Sequence, residues 1–289
     1  YDKRINRPPG LGLGRTGGID TPMFGMQFDV LHKISPDSFA DGDPSPNKVE
    51  IEPERAALKV KKMARLVGAD LVGIGPLRQE WVYSHNGRSY GESEEFMPWG
   101  APIDISHHSN AIAMGFAMEY DLMQSAPDFP ALLATAKGYS VSAWVAVQLA
   151  AYIRMMGYSA RAHHFHNYQV ICVPVAVDCG IGELSRAGYL MTKELGMGLR
   201  LSVVTTDMPL THDKPVDHGI QSFCGVCKIC ADSCPIGAIP DGGKVEHNGI
   251  KKWKLDEEKC YTYWRAAGSD CGICMNTCPW SRPPNWFHK

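Results

Sequence analysis

The strongest constraint on this chain is the crowding of its cysteines toward one end. Eight of the ten cysteines in the 289 residues lie between positions 224 and 278, and only Cys172 and Cys179 stand apart. Disulfide frameworks serve mainly small secreted domains that cannot bury a sufficient core. A chain of this length can bury one. The crowded thiols therefore predict metal binding.

These thiols form two runs that each end in Cys-Pro. The first is Cys224-x2-Cys227-x2-Cys230-x3-Cys234-Pro235, and the second is Cys271-x2-Cys274-x3-Cys278-Pro279. The first run has the complete spacing of bacterial ferredoxins, in which three thiolates hold one 4Fe–4S cluster and the fourth holds the other cluster. The second run lacks its nearby first cysteine, which Cys260 can supply through a longer loop.

We therefore expect two 4Fe–4S clusters in a crossed arrangement. One set of ligands is Cys224, Cys227, Cys230 and Cys278, and the other is Cys260, Cys271, Cys274 and Cys234. Structural zinc is the main rival, because Cys-x2-Cys pairs also suit tetrahedral zinc. Zinc accounts neither for the third cysteine of the first run nor for the two Cys-Pro ends.

Composition narrows the function classes. The chain is 44% hydrophobic and 21% charged, with a net charge of −2, so it lacks the basic excess that phosphate backbones attract. The longest mostly apolar run, over 141–153, contains Ser142 and Gln148 and is too short to span a bilayer. Residue 1 is Tyr and no signal-peptide pattern follows it, so we expect a processed product or a fragment.

The pattern along the chain predicts three segments. Residues 1–50 are rich in Gly, Pro, Asp and Ser without sustained periodicity, which favours a loop-rich N-terminal arm. Helices alternate with short apolar strands over 51–212, which indicates a layered α+β domain. Residues 213–289 hold the cysteine runs. The predicted elements are a helix over 52–67, one or two helices over 130–156, and strands over 70–75, 111–118 and 199–205.

Short segments outside the cysteine runs resemble the reductive dehalogenase family. They are Gly-Ala-Asp-Leu-Val-Gly at 68–73, Trp-Val-Tyr-Ser at 81–84, Ile-Arg-Met-Met-Gly-Tyr at 153–158, Gly-Ile-Gly-Glu at 180–183, and Leu-Arg-Leu running into Thr-Asp-Met-Pro-Leu over 199–210. With the cysteine runs, the resemblance extends from Lys61 to Pro279. It implies the core of a catalytic subunit, with an α+β fold. A nitroreductase-like corrinoid-binding core over 51–212 would precede a ferredoxin-like two-cluster domain over 213–289.

The resemblance also implies a reaction. An organohalide would take up two electrons and a proton and release halide, at a base-off corrinoid (cobalamin) that two 4Fe–4S clusters feed. The sequence contains no Asp-x-His-x-x-Gly segment, which is consistent with a family whose corrinoid has no protein-derived lower ligand.

The same resemblance assigns site residues. Tyr139 falls on the proton-donating tyrosine, Arg200 on the basic residue that attends it, and Asn167 on a nearby polar residue, with His166 as an alternative to Asn167. Thr135 and Trp264 fall on positions of the substrate pocket. A fixed guanidinium favours a phenolate, which eases proton delivery. From the residues alone, Tyr139 packs in a core, Arg200 pairs with a carboxylate and Trp264 shields a cluster. His163, His164 and His166 receive no role.

Two alternatives stay open. An enzyme similar to epoxyqueuosine reductase would share the corrinoid core and clusters but act on tRNA, which the net charge of −2 and the segment 182–184 argue against. An electron-transfer subunit without corrinoid would leave the residues before 213 without a task.

Partners and location are implied by the resemblance alone. The implied partners are a small organohalide and a small membrane-anchor subunit, without nucleic acid. The implied process is anaerobic organohalide respiration. The implied location is the outer face of the cytoplasmic membrane, after export by a twin-arginine signal. Oligomeric state is open, with a homodimer among the options.

Overall fold

The computed structural model describes residues 20–87 and 95–282. The first part of the chain holds the following helices and strands: α1 Asp20–Lys33, α2 Asp37–Ala40, α3 Pro53–Leu66, β1 Leu71–Pro76, β2 Asn110–Ala117, α4 Tyr120–Met123, α5 Phe129–Met155, β3 Ala160–His163, α6 Cys172–Asp178, β4 Glu183–Leu184, β5 Leu190–Met191 and β6 Leu199–Thr206. The cysteine-bearing part holds α7 Ile220–Cys227, α8 Ile229–Asp232, β7 Val245–His247, β8 Ile250–Lys252, α9 Glu257–Ala267 and α10 Ile273–Asn276. Short 3₁₀ turns lie at Gln79–Trp81 and Pro279–Ser281.

A four-stranded antiparallel sheet in the order β1-β2-β6-β3 forms the centre of the fold. The middle strand β2 is buried on both faces, which explains why its sequence is almost continuously apolar instead of alternating. The other middle strand, β6, is also mostly buried, although Arg, Ser and Thr make up half of its residues. Ile112 and Val204 pack with α3 and α5 on one face, whereas Ala113 and Val203 pack with α6 on the other. The predicted strands and the α+β class are confirmed.

Two glycines of β1 let α6 lie directly on the sheet. A Cβ at Gly73 would stand 2.1 Å from the Cys179 carbonyl oxygen, and one at Gly75 would stand 2.8 Å from that of Asp178. Because backbone oxygens cannot move aside cheaply, only glycine allows this approach.

The helix predicted over 130–156 is one 27-residue helix, α5. Pro130 lies in its first turn, where proline is tolerated, and Gly157 follows its end with φ +85°. Because α5 runs between α1 and the sheet, it is buried on more than one side, and it carries Thr135 and Tyr139.

The prediction of a loop-rich arm over 1–50 is wrong for residues 20–33, which form the helix α1; residues 1–19 lie outside the described residues. Phe24, Phe28 and Leu31 recur at helical spacing and pack against α5, and Leu31 is fully buried. The surrounding Gly, Pro and Asp hid this short apolar stripe. The boundaries of the three segments otherwise stay a prediction.

The cysteine-bearing part shares a core with the preceding layers. Met118 and Met123 pack in one cluster with Ile220, Trp253 and Met275. Among the helices of the described ranges, none has the length and apolar character needed to cross a bilayer.

A candidate redox and acid–base site

The first predicted set of thiols lies around one cavity, which Cys224, Cys227, Cys230 and Cys278 line together. Cys224 and Cys227 are on α7, whose start is fixed by Glu183. One carboxylate oxygen of Glu183 accepts from the backbone N–H of His218 at 2.7 Å, and the other accepts from that of Gln221 at 3.3 Å. A carboxylate at a helix N-terminus satisfies its free donors and opposes its dipole.

The second predicted set, Cys234, Cys260, Cys271 and Cys274, lines another cavity. Asp256 caps the start of α9 by accepting from the Lys259 N–H at 3.0 Å, and this places Cys260 on the first turns of that helix. Cys271 has φ +58°, an uncommon backbone for a non-glycine residue, so the loop turns sharply where it meets the cavity. The structure thus brings together each crossed set of four.

The donor chemistry of both cavities fits cubane clusters. Burial raises the pKa of Cys230 to about 12 and that of Cys260 to about 11, and neighbouring thiols add to both effects. Such thiols need a strong positive charge beside them to become ligands. Iron supplies that charge, because a coordinating thiol is deprotonated outright.

A third cavity, of about 70 Å³, brings together four residues that the sequence assigned to catalysis and substrate binding. Thr135 and Tyr139 are on the same face of α5, one turn apart, Arg200 is on β6, and Trp264 is on α9. A Cβ at position 138 would stand 2.6 Å from Cγ of Arg200, so Gly138 allows the arginine to lie across the helix.

The guanidinium of Arg200 is the centre of this group. It lies 4.5 Å from the ring centroid of Tyr139, and its Nη2 donates to Thr135 Oγ1 at 2.9 Å and to Asp270 Oδ2 at 3.0 Å. Burial acts to lower the pKa of Arg200, but Tyr139, Asp270 and Tyr189 outweigh it and the net shift is upward. Arg200 therefore holds a fixed positive charge against the face of the phenol ring.

The third cavity, with Thr135, Tyr139, Arg200 and Trp264 in its wall, is named the acid–base cavity. It shares a wall with the cavity of the second thiol set. Five residues line both, namely Tyr189, Trp264, Asp270, Cys271 and Gly272. A wider cavity of about 240 Å³ adjoins the other side and shares Met123 and Met275 with the acid–base cavity. Its wall also includes Met118, Leu195 and Gly198. The thiols predicted to hold the second cluster and the residues predicted to handle the proton thus lie next to each other.

The structure does not bring Asn167 into this group. Its amide Nδ2 donates to the Ser35 carbonyl at 2.9 Å, and its Oδ1 accepts from Arg161 at 2.6 Å. Asn167 and His166 line a separate cavity beside Arg161. Phe165 stands between, with its ring centroid 4.4 Å from that of Tyr139 and 4.3 Å from that of His166. The position of Asn167 therefore suits a structural link between β3 and the chain before α2.

The other histidines of this region are core residues. His163 Nε2 and His108 Nδ1 lie 2.9 Å and 2.8 Å from Thr205 Oγ1, and His164 Nδ1 lies 2.8 Å from the Phe165 carbonyl oxygen. Burial lowers the pKa of His108 and of His164 to about 4, so both are neutral near pH 7.

Two members of the site were not predicted from the sequence. Asp270 pairs with Arg200, and Tyr189 stands between the two cavities. Asp270 directly precedes the ligand candidate Cys271, and this adjacency was its only signal. Tyr189 lies between two strands of two residues each, where no periodic pattern exists to mark it.

Comparison with known proteins identifies the family of this chain. Residues 223–281 match the family model of the 4Fe–4S dicluster domain. The chain is 37% identical over 256 residues to tetrachloroethene reductive dehalogenase of Sulfurospirillum multivorans, covering 79% of this chain and 51% of the relative. This chain belongs to the reductive dehalogenase family. The resemblance seen in the sequence is thereby confirmed.

Other reductive dehalogenases show the same relation. The chain is 32% identical over 275 residues to tetrachloroethene reductive dehalogenase of Dehalobacter restrictus, covering 81% of this chain and 50% of the relative. The structure superposes on the catabolic reductive dehalogenase NpRdhA with a TM-score of 0.80 at 30% identity, covering 93% of this chain and 38% of that one. The chain spans about half the length of the curated relatives it matches.

The rival family is more distant. An epoxyqueuosine reductase of Lactococcus garvieae is 28% identical over 125 residues, which is 41% of this chain. A crystal structure of an epoxyqueuosine reductase superposes with a TM-score of 0.54 at 17% identity, a likeness of fold alone.

Proposed function

We propose that this chain carries the catalytic core of an enzyme that removes halide reductively from a small organohalide. The reaction takes up two electrons and one proton, and converts R–X to R–H and X⁻. One observation carries the proposal: the cavity that holds Tyr139 and Arg200 shares a wall with the cavity lined by Cys260, Cys271 and Cys274. The names of the relatives support it.

A corrinoid is the cofactor that the similarity to reductive dehalogenases implies beside the clusters. The structure of one such protein, at 30% identity and a TM-score of 0.77, suggests a mechanism for B12-dependent dehalogenation. Met118, Met123, Met275 and Gly198 of the wider cavity would hold it, because thioethers adapt to an irregular apolar surface and glycine permits close approach. When bound, the corrinoid supplies a strongly reducing cobalt centre for breaking the carbon–halogen bond.

The side chains of this chain handle the proton. Tyr139 donates the proton of its hydroxyl to the substrate carbon, and the charge of Arg200 over the ring stabilises the phenolate left behind. Thr135 and Asp270 hold the guanidinium in place. Trp264 closes the cavity on the side of the second thiol set.

The two thiol sets would hold the 4Fe–4S clusters, which would supply the electrons one at a time. The second set adjoins the acid–base cavity and is the donor on that side. The first set lies beyond it and receives electrons from outside. A corrinoid-free electron-transfer subunit would need neither Tyr139 nor Arg200 at a cavity, and the presence of both favours the enzyme.

The test begins with anaerobic purification of the intact protein and an inventory of iron, sulfide and cobalt. We expect iron and sulfide for two cubane clusters and cobalt for one corrinoid. Chlorinated ethenes with a reduced viologen as electron donor should then yield chloride. Tyr139→Phe should keep all three elements but lose turnover at least about 100-fold, because general acids contribute about 10²–10⁴-fold. A protein without cobalt, or a fully active Tyr139→Phe variant, contradicts the proposal.

We further propose, on resemblance alone, the partners and the location. The protein would act at the outer face of the cytoplasmic membrane, held by a small anchor subunit and without nucleic acid as partner, in one copy or as a homodimer. Fractionation of the native cells with an antibody tests the location, and co-purification tests the anchor. Recovery in the soluble cytoplasmic fraction contradicts both.

A further inference from the structure

A buried arginine beside the first thiol set has no role in the chemistry described so far. Arg186 is 2% exposed. Its Nε donates to the Cys224 carbonyl at 2.9 Å, its Nη1 to those of Pro240 and Gly242 at 2.8 and 2.9 Å, and its Nη2 to that of Gly225 at 3.3 Å. Cys224 and Gly225 are in the last turn of α7, where carbonyls lack helical partners. Arg186 therefore holds the end of the helix that Glu183 caps at its start.

The charge of Arg186 has no carboxylate partner. Over the residues that the structure describes, no Asp or Glu oxygen lies within 4.0 Å of its guanidinium, whereas Arg200 pairs with Asp270 and Arg161 pairs with two aspartates. Glu183, the nearest acidic residue in sequence, is engaged with backbone N–H groups at the start of α7. A buried charge without a counter-charge is costly. The site must therefore offer another negative group.

That group is at the first thiol cavity. Arg186 lines it together with Cys224, Cys227 and Cys230. Trp253 covers the other side of the guanidinium, with its ring centroid 4.6 Å away, and is itself 4% exposed. The buried guanidinium and the three thiols thus belong to the wall of one cavity.

We propose that Arg186 is the counter-charge of the first cluster and raises its reduction potential. Each electron that enters a cubane held by four thiolates adds one negative charge, and a fixed positive charge beside it in a region of low dielectric favours that addition. A higher potential lets the first cluster accept electrons from a weaker donor. The inference rests on the cluster-binding part of the proposed function and is independent of dehalogenation.

The experiment compares three substitutions in the intact, cluster-loaded protein. Arg186→Gln removes the charge and keeps a donor, and Arg186→Lys keeps the charge. Lys244→Met removes a half-exposed charge that lies over the same Trp253 ring, at 4.6 Å from its centroid. Potentials are read from an anaerobic redox titration followed by electron paramagnetic resonance. The signal that Cys227→Ser alters is assigned to the first cluster, and the other cluster is the internal reference.

We expect Arg186→Gln to lower the potential of the first cluster alone. Arg186→Lys should stay close to the wild type, and Lys244→Met should match it, because water screens an exposed charge. An unchanged potential in Arg186→Gln overturns the inference. So does an equal fall in the Gln and Lys variants, which would assign the effect to the hydrogen bonds.

The lysine variant decides the matter if Arg186→Gln does not retain iron. Iron retained in Arg186→Lys but lost in Arg186→Gln assigns the requirement to the positive charge. Iron lost from both variants assigns it to the hydrogen bonds of the guanidinium and overturns the inference. A wild-type protein without iron and sulfide instead contradicts the proposed function.

Discussion

Asp270 offers the sharpest test of how the proton-handling group is built. Asp270→Asn removes the carboxylate that pairs with Arg200 at 3.0 Å, where both side chains are little exposed, 13% for Arg200 and 12% for Asp270. Removing one partner of a buried ion pair costs about 3–5 kcal/mol in stability. Here Arg200 keeps its bond to Thr135 and its contact with the Tyr139 ring, and asparagine keeps an oxygen acceptor. We therefore expect a smaller loss in the transition state, about 1.5–2 kcal/mol.

That loss corresponds to a fall in kcat of roughly 10- to 30-fold. Under the proposed function, the KM for a chlorinated ethene should change less than kcat, because Asp270 acts on the proton transfer through its ion pair with Arg200. Steady-state rates with a reduced viologen measure both constants. The iron content of each preparation checks that the cluster expected at the neighbouring Cys271 is retained.

Asp128→Asn is the matched control, because Asp128 lines the same cavity and lacks the ion pair with Arg200. Its kcat should stay within about twofold of the wild type, as is usual away from such pairs. The reasoning is refuted if Asp270→Asn turns over at the wild-type rate, or if the control falls as far.

Three further predictions concern the scaffold. Gly73→Ala should lower the free energy of unfolding by at least about 2 kcal/mol, because its Cβ would stand 2.1 Å from a backbone oxygen. Gly243→Ala is the control and should leave the stability unchanged, because its Cβ would meet no atom within 4 Å. Denaturant unfolding measures both. Leu31→Ala, at a fully buried position of α1, should lower the free energy of unfolding by about 2–5 kcal/mol. Met26→Ala, at a position of the same helix that is 57% exposed, should lower it little. Equal effects of the two substitutions would contradict the packing of α1. The pKa of His108 in the folded protein is lowered to about 4 from 6.5, so the unfolded chain binds more protons between these two values. The free energy of unfolding should therefore fall as the pH drops from 6.5 to 4. His108→Gln should make this fall less steep, and an unaltered pH dependence would refute the assignment.

The cluster ligands could be predicted because their geometry is local. The first three thiols of the first run lie within seven residues, and the three thiols of the second run lie within eight. The last cysteine of each run precedes a proline, as in the ferredoxin run whose last cysteine holds the other cluster. The crossed sets follow from this spacing, and the two thiol cavities have the expected members. The long strands and helices were predictable for a related reason. β2 is buried on both faces, so an apolar run marks it without help from distant residues. β6 is marked by its β-branched Val and Thr residues, which favour strands.

The remainder of the site depends on contacts between distant segments. Arg200 meets Asp270 across 70 positions, and no periodicity marks either residue. Asn167 was assigned to the site by resemblance, but a hydrogen bond to Arg161, six positions earlier, holds it elsewhere. The helix α1 was missed because three apolar side chains in a segment rich in turn-forming residues give a weak signal until α5 is there to cover them.

Under the proposed function, the wall common to the acid–base and second thiol cavities limits how the enzyme could be re-engineered. A change at Tyr189 or Trp264 intended to admit a bulkier organohalide would also alter the surroundings of the proposed second cluster, so selectivity and reduction potential would change together. Ala131 and Leu132 line the pocket from α5 and do not line the thiol cavity. Directed evolution toward new pollutants should start from that opposite side.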